Sequence, residues 1–493
     1  MNINVRLEVL YYFISEVKNS IFELSSDNIE KLWNLFMVNN KYKEVKSLFI
    51  NFLISKNPLY DNVNDEFSNT FSSVLLIHIL TGSDKTKFNY ESIDIQEYNL
   101  FEGYFLLVNK LQKKIQFISN SPRVIANDII KLTSLFEMLV FNQNQEVRAR
   151  LSKLLVNLCL YFKTYVEDTC SDYWILFIDL SIFYFNKSIE SKNTNGISGM
   201  ILLMNSILKE IESGGKVFQS VDITNPNNGD EYIFNNSKTK EKKSIKIGYG
   251  ELIIKVREKV SYLFEIPIFL VCLIINKKII DLNDDFTYFR EQVSYSNSII
   301  EVIERDCPLL AFKNNPKQLL CFNQELFSKL FHLLDNPDSI YINDTWELIN
   351  LFPMYHNEIK KELELSSNNM NKELIKWDKY LDTKSIYKLL YSLNLIYNML
   401  KRKQFSSIHK NVNNEEKSNN SNNSNNSNNE EPDIVVELGE ALPLNWLNLF
   451  IENDGVTYII NLLNKINIDH FKNSLGFQCI TKILDILTLI KIR

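Results

Sequence analysis

The feature that most constrains the fold is a succession of apolar segments with the period of an α-helix. In the segment 146–162, "EVRARLSKLLVNLCLYF", five apolar residues share one helix face: Val147, Leu151, Leu154, Leu155 and Leu158. Other segments with this period lie at 3–24, 27–38, 42–55, 67–81, 95–118, 122–141, 172–187 and 196–212. Helices that bury one face on their neighbours form an α-solenoid, so 1–212 is predicted to be an armadillo/HEAT-like helical region.

The composition excludes several classes of function. The chain has 493 residues and is 45% hydrophobic, which is enough apolar content for packed cores. Its net charge of −6 disfavours nucleic acid as a partner. The most apolar runs, 173–185 and 263–275, contain acidic residues and are shorter than the roughly 20 residues of a membrane span. No secretory signal is visible at the N-terminus. The predicted location is the cytoplasm, with the nucleus as a second site.

The residues that usually carry catalysis or bind metals show no functional spacing. Six cysteines are scattered without a CxxC pair, which disfavours both a zinc site and a disulfide framework and predicts packing roles. Five histidines show no metal-ligand spacing, and the Gly-Gly-Lys at 214–216 lacks the spacing of a phosphate-binding loop. We therefore predict no catalytic residue, no cofactor and no metal.

The character of the chain changes after residue 212. Gly214 and Gly215 are typical of a helix end, and the alternation over 217–224 predicts a strand. The segment "IKIGYG" (245–250) predicts a second strand. The apolar stripe of 251–266 then predicts a helix that ends at Pro267.

A further group of short β-elements follows that helix. The segment "FLVCLIINKKII" predicts an apolar strand, a Lys-Lys turn and a second short strand, followed by the acidic turn "DLNDD" and a last strand at 298–305. This order over 216–306 resembles ubiquitin itself, and the resemblance implies a small ubiquitin-like (β-grasp) domain. Residues "DCPLLAF" follow Arg305 in place of a Gly-Gly end, so we expect an internal module and not a conjugated tag. A strand pair in another α+β module is the alternative.

The downstream helices extend the resemblance. Trp346 with "ELINLFP", Trp377 with "KLLYSLNLIYNML", and "NWLNLFIENDGVTYIINLL" (445–463), with Trp446, Phe450 and Gly455, resemble the non-catalytic arm of the very large fat-facets-type ubiquitin-specific proteases. These are ubiquitin carboxyl-terminal hydrolases of peptidase class C19. The resemblance covers 216–493 and implies a ubiquitin-like module inside a helical-repeat region. The tryptophans are predicted to be core anchors and not chemical groups.

The predicted fold class is mainly α, an armadillo/HEAT-like α-solenoid interrupted by a small α+β ubiquitin-like domain. The Asn/Ser-rich, low-complexity stretch within 404–432 has too few apolar residues for burial to offset the entropy lost on ordering, so it is predicted to be a disordered insert. The expected organisation is a helical region at 1–212, a ubiquitin-like domain at 216–306, helical repeats at 318–403, a disordered insert at 404–432, and further helical repeats, truncated at the end, at 433–493.

The resemblance implies a non-catalytic scaffold that acts in protein deubiquitination by binding proteins: ubiquitinated substrates, adaptors or a deubiquitinase catalytic domain. The cysteine and histidine blocks of that protease family are missing from this chain. We therefore expect either a fragment of such an enzyme, whose catalytic domain would lie C-terminal to it, or a free-standing paralogue of the arm alone. The predicted contact is an apolar patch on the ubiquitin-like sheet formed by Leu273, Ile275, Ile299 and Val302. Strand alternation leaves open whether these side chains belong to the core instead.

Two other functional hypotheses remain. One is an armadillo-type adaptor unrelated to ubiquitin, serving transport or cytoskeletal assembly. The other is an active hydrolase with an unrecognised site.

Overall fold

The computed structural model describes residues 3, 5–9, 26–38, 42–55, 90–118, 121–217, 228–293, 299–335, 341–352, 377–398, 400, 446–465 and 474–491. These residues are mainly helical, with two small sheets. The chain divides into two compact units, 1–320 and 321–493. The predicted helices 3–24 and 67–81 lie largely or wholly outside the described residues, as does the predicted insert 404–432.

The helices of the first unit agree in most places with the apolar period. They are α1 Ser26–Trp33, α2 Lys43–Ser55, α3 Ile95–Leu111, α4 Leu132–Phe141, α5 Gln145–Leu160, α6 Glu167–Glu190 and α7 Thr194–Glu212. The five apolar residues predicted to share a face of α5 are all buried. Side-chain caps begin several helices: Asp94 forms a capping box with Glu97 at α3, Asn144 caps α5 and Asn193 caps α7.

Helices α4 to α7 pack against one another, with α7 in contact with the other three. A Cβ atom at Gly199 of α7 would lie 3.1 Å from the carbonyl oxygen of Leu139 in α4, so this glycine allows the two backbones to approach closely. Buried rings fill the space between α4 and α6, where Phe136 contacts Phe177 with ring centroids 5.2 Å apart. The result is a core made from one face of each helix.

The predicted helices 95–118 and 122–141 are wrong over 115–124. Two antiparallel strands, β1 Ile115–Ile118 and β2 Ser121–Val124, lie there instead. Lys113 has a φ of 56°, which interrupts the helical backbone. The β-branched residues that follow favour extended backbone, so α3 stops at Leu111 and helix resumes only at Leu132.

A five-stranded sheet and a helix occupy the region after α7. Their elements are β3 Gly229–Asn236, β4 Lys242–Gly248, α8 Ile253–Phe264, β5 Val271–Ile275, β6 Lys278–Ile280, the 3₁₀ turn Leu282–Phe286, the short helix α9 Phe289–Gln292 and β7 Ile299–Glu304. The strand order is β4-β3-β7-β5-β6. The pair β3–β7 is parallel, and the pairs β3–β4, β5–β7 and β5–β6 are antiparallel. The first and last strands are therefore neighbours at the centre.

Most of the elements predicted for this region are confirmed. The helix ends before Pro267, and the last strand covers Ile299–Glu304. The predicted turn also joins two strands, but its residues are Asn276 and Lys277, and Lys278 begins β6. The strand predicted at 217–224 lies almost entirely outside the described residues. The first strand of the sheet is instead β3, in which Tyr232 and Phe234 alternate with more exposed residues.

The second unit is also helical. Its described helices are α11 Gln324–Leu334, α12 Ile342–Asn350, α13 Trp377–Tyr380, α14 over 386–398, α15 Trp446–Glu452, α16 Gly455–Lys465 and α17 Ser474–Lys491; the short helix α10, Pro316–Cys321, precedes them. In the described part of the whole chain, no helix combines the length and the apolar composition that a membrane crossing requires.

Trp377 is a core anchor of the second unit, as predicted. It is buried, its Nε1 donates a hydrogen bond to the Asn453 carbonyl at 2.7 Å, and its ring contacts Phe450 edge-on. A Cβ atom at Gly455 would lie 2.5 Å from the Phe450 ring, so any larger residue there would force that ring to move. Trp346 packs partly buried against the same core. The side chain of Trp446 lies outside the described residues.

Candidate protein-interaction site

The two faces of the five-stranded sheet differ in burial. The inner face packs on α8 and forms one apolar core with Ile253, Val256 and Val260 of that helix. The strands supply ten further members of this core: Tyr232, Phe234, Ile245, Ile247, Val271, Leu273, Ile275, Ile280, Ile300 and Val302. Ile266, Phe289 and Val293, which lie outside the strands, complete it. Successive side chains of a strand point to opposite faces, so the residues between them lie on the outer face.

Three of the four residues predicted to form an exposed patch are in this core. Leu273, Ile275 and Val302 are at most 1% exposed, so the prediction that they form a surface is wrong. Leu273 and Val302 are neighbours in register, but on the inner face. Ile299 alone is exposed, at 52%. The reason is the register of β5 and β7, which turns the odd residues of β5 and the even residues of β7 towards α8.

An exposed apolar surface does exist on the outer face, and we call it the outer sheet face. It consists of Ile233, Ile274, Ile279, Ile299 and Ile303. Ile233 and Ile299 are neighbours across the parallel pair, and Ile274 and Ile279 are neighbours across the β5–β6 hairpin. Ile233, Ile279 and Ile299 are 42%, 56% and 52% exposed, and the other two are half-buried.

The sequence contained one signal for this face. In "SIIEVIER" the exposed Glu301 lies between Ile300 and Val302, which are buried, so Ile299 and Ile303 share the side of the carboxylate. Ile233 was missed because the first strand was predicted at 217–224 and not at β3. Ile279 was missed although Lys277 and Asp281, each two residues away, give the same kind of signal.

Charged side chains surround the apolar residues of the outer sheet face. Glu301 pairs in register with Ile274, within the patch. Lys246 pairs with Glu231 at the β4 edge, and the Ser244 hydroxyl donates a hydrogen bond to the Glu231 carboxylate. An apolar centre with a mixed polar rim is the composition of many protein–protein interfaces.

A buried ionic group fixes α8 to the loop after β6. The guanidinium of Arg257 is fully buried and donates from Nε to the Asp285 carboxylate at 2.9 Å. It also donates to the carbonyl oxygens of Val271, Ile280 and Asp281. Burial raises the pKa of the Asp285 carboxyl above its ordinary 3.8, and the charge of Arg257 offsets only part of that effect.

This pKa shift predicts a pH dependence of stability. The pKa of Asp285 is higher in the folded state than in the unfolded state. The contribution of this carboxyl to stability is therefore fully present below pH 3.8, its ordinary pKa, and is lost as pH rises through the higher folded-state pKa. The substitution Asp285→Asn removes the titration. We therefore expect the difference in unfolding free energy, wild type minus Asp285→Asn, to decrease as pH rises from about 4 to 7, measured by urea denaturation. A difference that increases with pH would show that the ion pair outweighs burial.

The side of α8 that faces away from the sheet is held against the first helices. Glu258 is fully buried and its carboxylate lies 3.5 Å from the guanidinium of Arg123 in β2. Phe269 stacks on Tyr161, with ring centroids 5.2 Å apart, and its backbone N–H donates to the Gly214 carbonyl at 2.9 Å. One side of the sheet is therefore covered by α8, which in turn packs on the first helices, and the other side carries the outer sheet face.

The cysteines do not form a reactive centre. All six are buried, and burial raises the pKa of the Cys159, Cys272 and Cys307 thiols and brings that of Cys170 and Cys479 to about 12. The predicted packing role of the cysteines is confirmed. Among the residues that the structure describes, no group of three or more His, Cys, Asp or Glu side chains is placed to hold a metal ion.

Thiol labelling tests this arrangement. We expect a maleimide to label none of the six cysteines of the native protein during minutes of exposure, and to label all of them after denaturation, because a buried, protonated thiol is a poor nucleophile. Mass spectrometry of the intact chain counts the adducts. One thiol that reacts in the native state at the rate of free cysteine would revive the hypothesis of an active hydrolase.

No protein-family model matches this chain, and a search of curated proteins finds no match either.

Proposed function

We propose that this chain is a non-catalytic scaffold that acts in protein deubiquitination by binding proteins, as the arm of a large ubiquitin-specific protease does. The observation that carries the proposal is the mixed sheet: its first and last strands are parallel neighbours at the centre, two hairpins flank them, and α8 crosses one face. This arrangement supports a ubiquitin-like β-grasp domain. The packed helices α4 to α7 support a helical-repeat region before it.

The outer sheet face supports a binding role for the module. Since α8 and the first helices cover the opposite side, the outer sheet face is the side of the sheet that offers apolar area to a partner. The buried cysteines favour binding over thiol catalysis. Partners of the proposed scaffold are a deubiquitinase catalytic domain, ubiquitinated substrates or adaptors.

Affinity purification of the tagged full chain, followed by a ubiquitin–fluorophore hydrolysis assay, tests the proposal. We expect the pure recombinant chain to show no turnover, and the material that it captures from its own cells to hydrolyse the substrate or to contain ubiquitin conjugates. The double variant Ile233→Lys/Ile299→Lys should lose most of that material, because it places charge in the apolar patch. Leu202→Lys, an exposed position on α7, is the matched control and should retain it.

Two results would contradict this function. Captured partners without ubiquitin hydrolase activity and without ubiquitin conjugates would favour the adaptor hypothesis. Turnover by the pure chain would make the protein an enzyme.

A further inference from the structure

A second exposed apolar surface lies on α6, on a different element from the sheet. The helix Glu167–Glu190 buries Trp174, Phe177 and Phe185 on its inner side. Its opposite side exposes Leu176 at 45% and Phe183 at 56%. The outward face of a surface helix is normally polar, so these two large side chains need a reason.

The two exposed residues occur in a regular pattern. Leu176 and Phe183 are seven residues apart, two helical turns and about 10 Å along the axis. Asp172 and Asp179 are also seven residues apart and lie on the same exposed face. The order Asp172, Leu176, Asp179, Phe183 therefore alternates acid and apolar groups along one stripe, which we call the outer face of α6. Ile175, 36% exposed, widens its apolar part.

The charge of this face has one dominant sign. Asp168 and Glu190 extend it at the two ends, and both are exposed. Within the described part of the chain, no ion pair joins the carboxylate of Asp168, Asp172, Asp179 or Glu190 to a basic side chain. Lys187 is the one basic residue of the exposed stripe, and its ammonium lies over the rings of Phe141 and Tyr184.

We propose that the outer face of α6 docks an amphipathic helix of another protein that carries an apolar stripe flanked by lysine or arginine. Apolar side chains one heptad apart match the spacing at which a second helix presents its own apolar residues. The carboxylates between them attract basic residues and repel an acidic helix, which gives the face its selectivity. This surface is independent of the outer sheet face.

Peptide binding to the full-length protein tests the proposal. The probe is a fluorescent peptide of about 18 residues with leucines on one helical stripe and lysines beside them; its twin carries glutamates in place of the lysines. We expect the lysine peptide to bind at least about tenfold more tightly than its twin at low salt, and the difference to shrink at about 0.3 M salt, in fluorescence anisotropy titrations.

Variants of the protein locate the binding. The double variant Leu176→Gln/Phe183→Gln should lower the affinity for the lysine peptide by about tenfold or more. The double variant Asp172→Asn/Asp179→Asn should lower it by about threefold and should reduce its salt dependence. All four positions are exposed, so the fold should tolerate the changes, and Leu202→Gln on α7 is the matched control.

Three outcomes would overturn the proposal. The first is equal affinity for both peptides. The second is an equal loss of binding in the Leu202→Gln control. The third is a dimer in sedimentation experiments that Leu176→Gln/Phe183→Gln dissociates, because a second copy of the chain would then be the occupant of this face.

Discussion

Replacing the buried Arg257 by methionine should destabilise the sheet region by about 3–5 kcal/mol, the usual cost of removing one partner of a buried ion pair. The substitution leaves the Asp285 carboxylate without its guanidinium in a fully buried site. It also removes donors from three backbone carbonyls. Hydrogen exchange of the full-length protein, followed by mass spectrometry over 229–304, measures the local loss of stability.

A second variant makes this prediction specific to the ion pair. The double substitution Arg257→Met/Asp285→Leu removes both charges, so it should recover a part of the loss, of the order of 1–2 kcal/mol, although the carbonyl oxygens stay without their donor. Arg290→Met serves as the matched control. The Arg290 side chain is 56% exposed, and its contacts with Asp230 and the Tyr249 ring lie on the surface, so its loss should change stability by no more than about 1 kcal/mol. An equal loss in the double variant would show that the carbonyl contacts alone carry the effect.

The substitution Gly215→Ala should destabilise the sheet region, residues 229–304, by about 2–4 kcal/mol. Gly215 has a φ of +87°, a conformation that costs an L-residue about 1–2 kcal/mol. The added Cβ atom would also lie 2.5 Å from the Phe269 ring, so the ring must move against Tyr161, on which it stacks. Urea denaturation and hydrogen exchange over 229–304 measure the change.

Gly250→Ala is the matched control for this glycine. A Cβ atom at Gly250 meets nothing within 4 Å, and its φ is not in the positive region. We expect this control to change the unfolding free energy by less than about 0.5 kcal/mol. If the Gly215→Ala and Gly250→Ala variants were equally stable, Gly215 would not be needed for the attachment of the sheet to α7.

Much of the local structure was predictable from the sequence. The helix faces followed from the apolar period, as the buried residues of α5 show. The order of elements from α8 to β7 followed from alternation, the break at Pro267 and the Lys-Lys turn. These features depend on residues close together in the chain, where sterics and periodicity act directly.

The candidate site was predictable only in part. Alternation places Leu273 and Val302 correctly within strands, but it does not say which side of the strand meets α8. A shift of one residue exchanges the two faces, so the exposed set was assigned to the wrong side for three of four residues. The hairpin β1–β2 was missed because the apolar residues of 115–124 fit a helix period as well as a strand.

The sequence by itself determined most of the helices and strands, although not the hairpin β1–β2, and where an apolar face runs, because these depend on local backbone preference and on spacing. Tertiary structure alone decided which faces stay exposed. Ile233, Ile279 and Ile299 face outward because α8 covers the other side of the sheet, and Leu176 and Phe183 do so because the core formed by α4 to α7 lies on the opposite side of α6. Burial depends on contacts between residues far apart in the chain, and no local pattern specifies them.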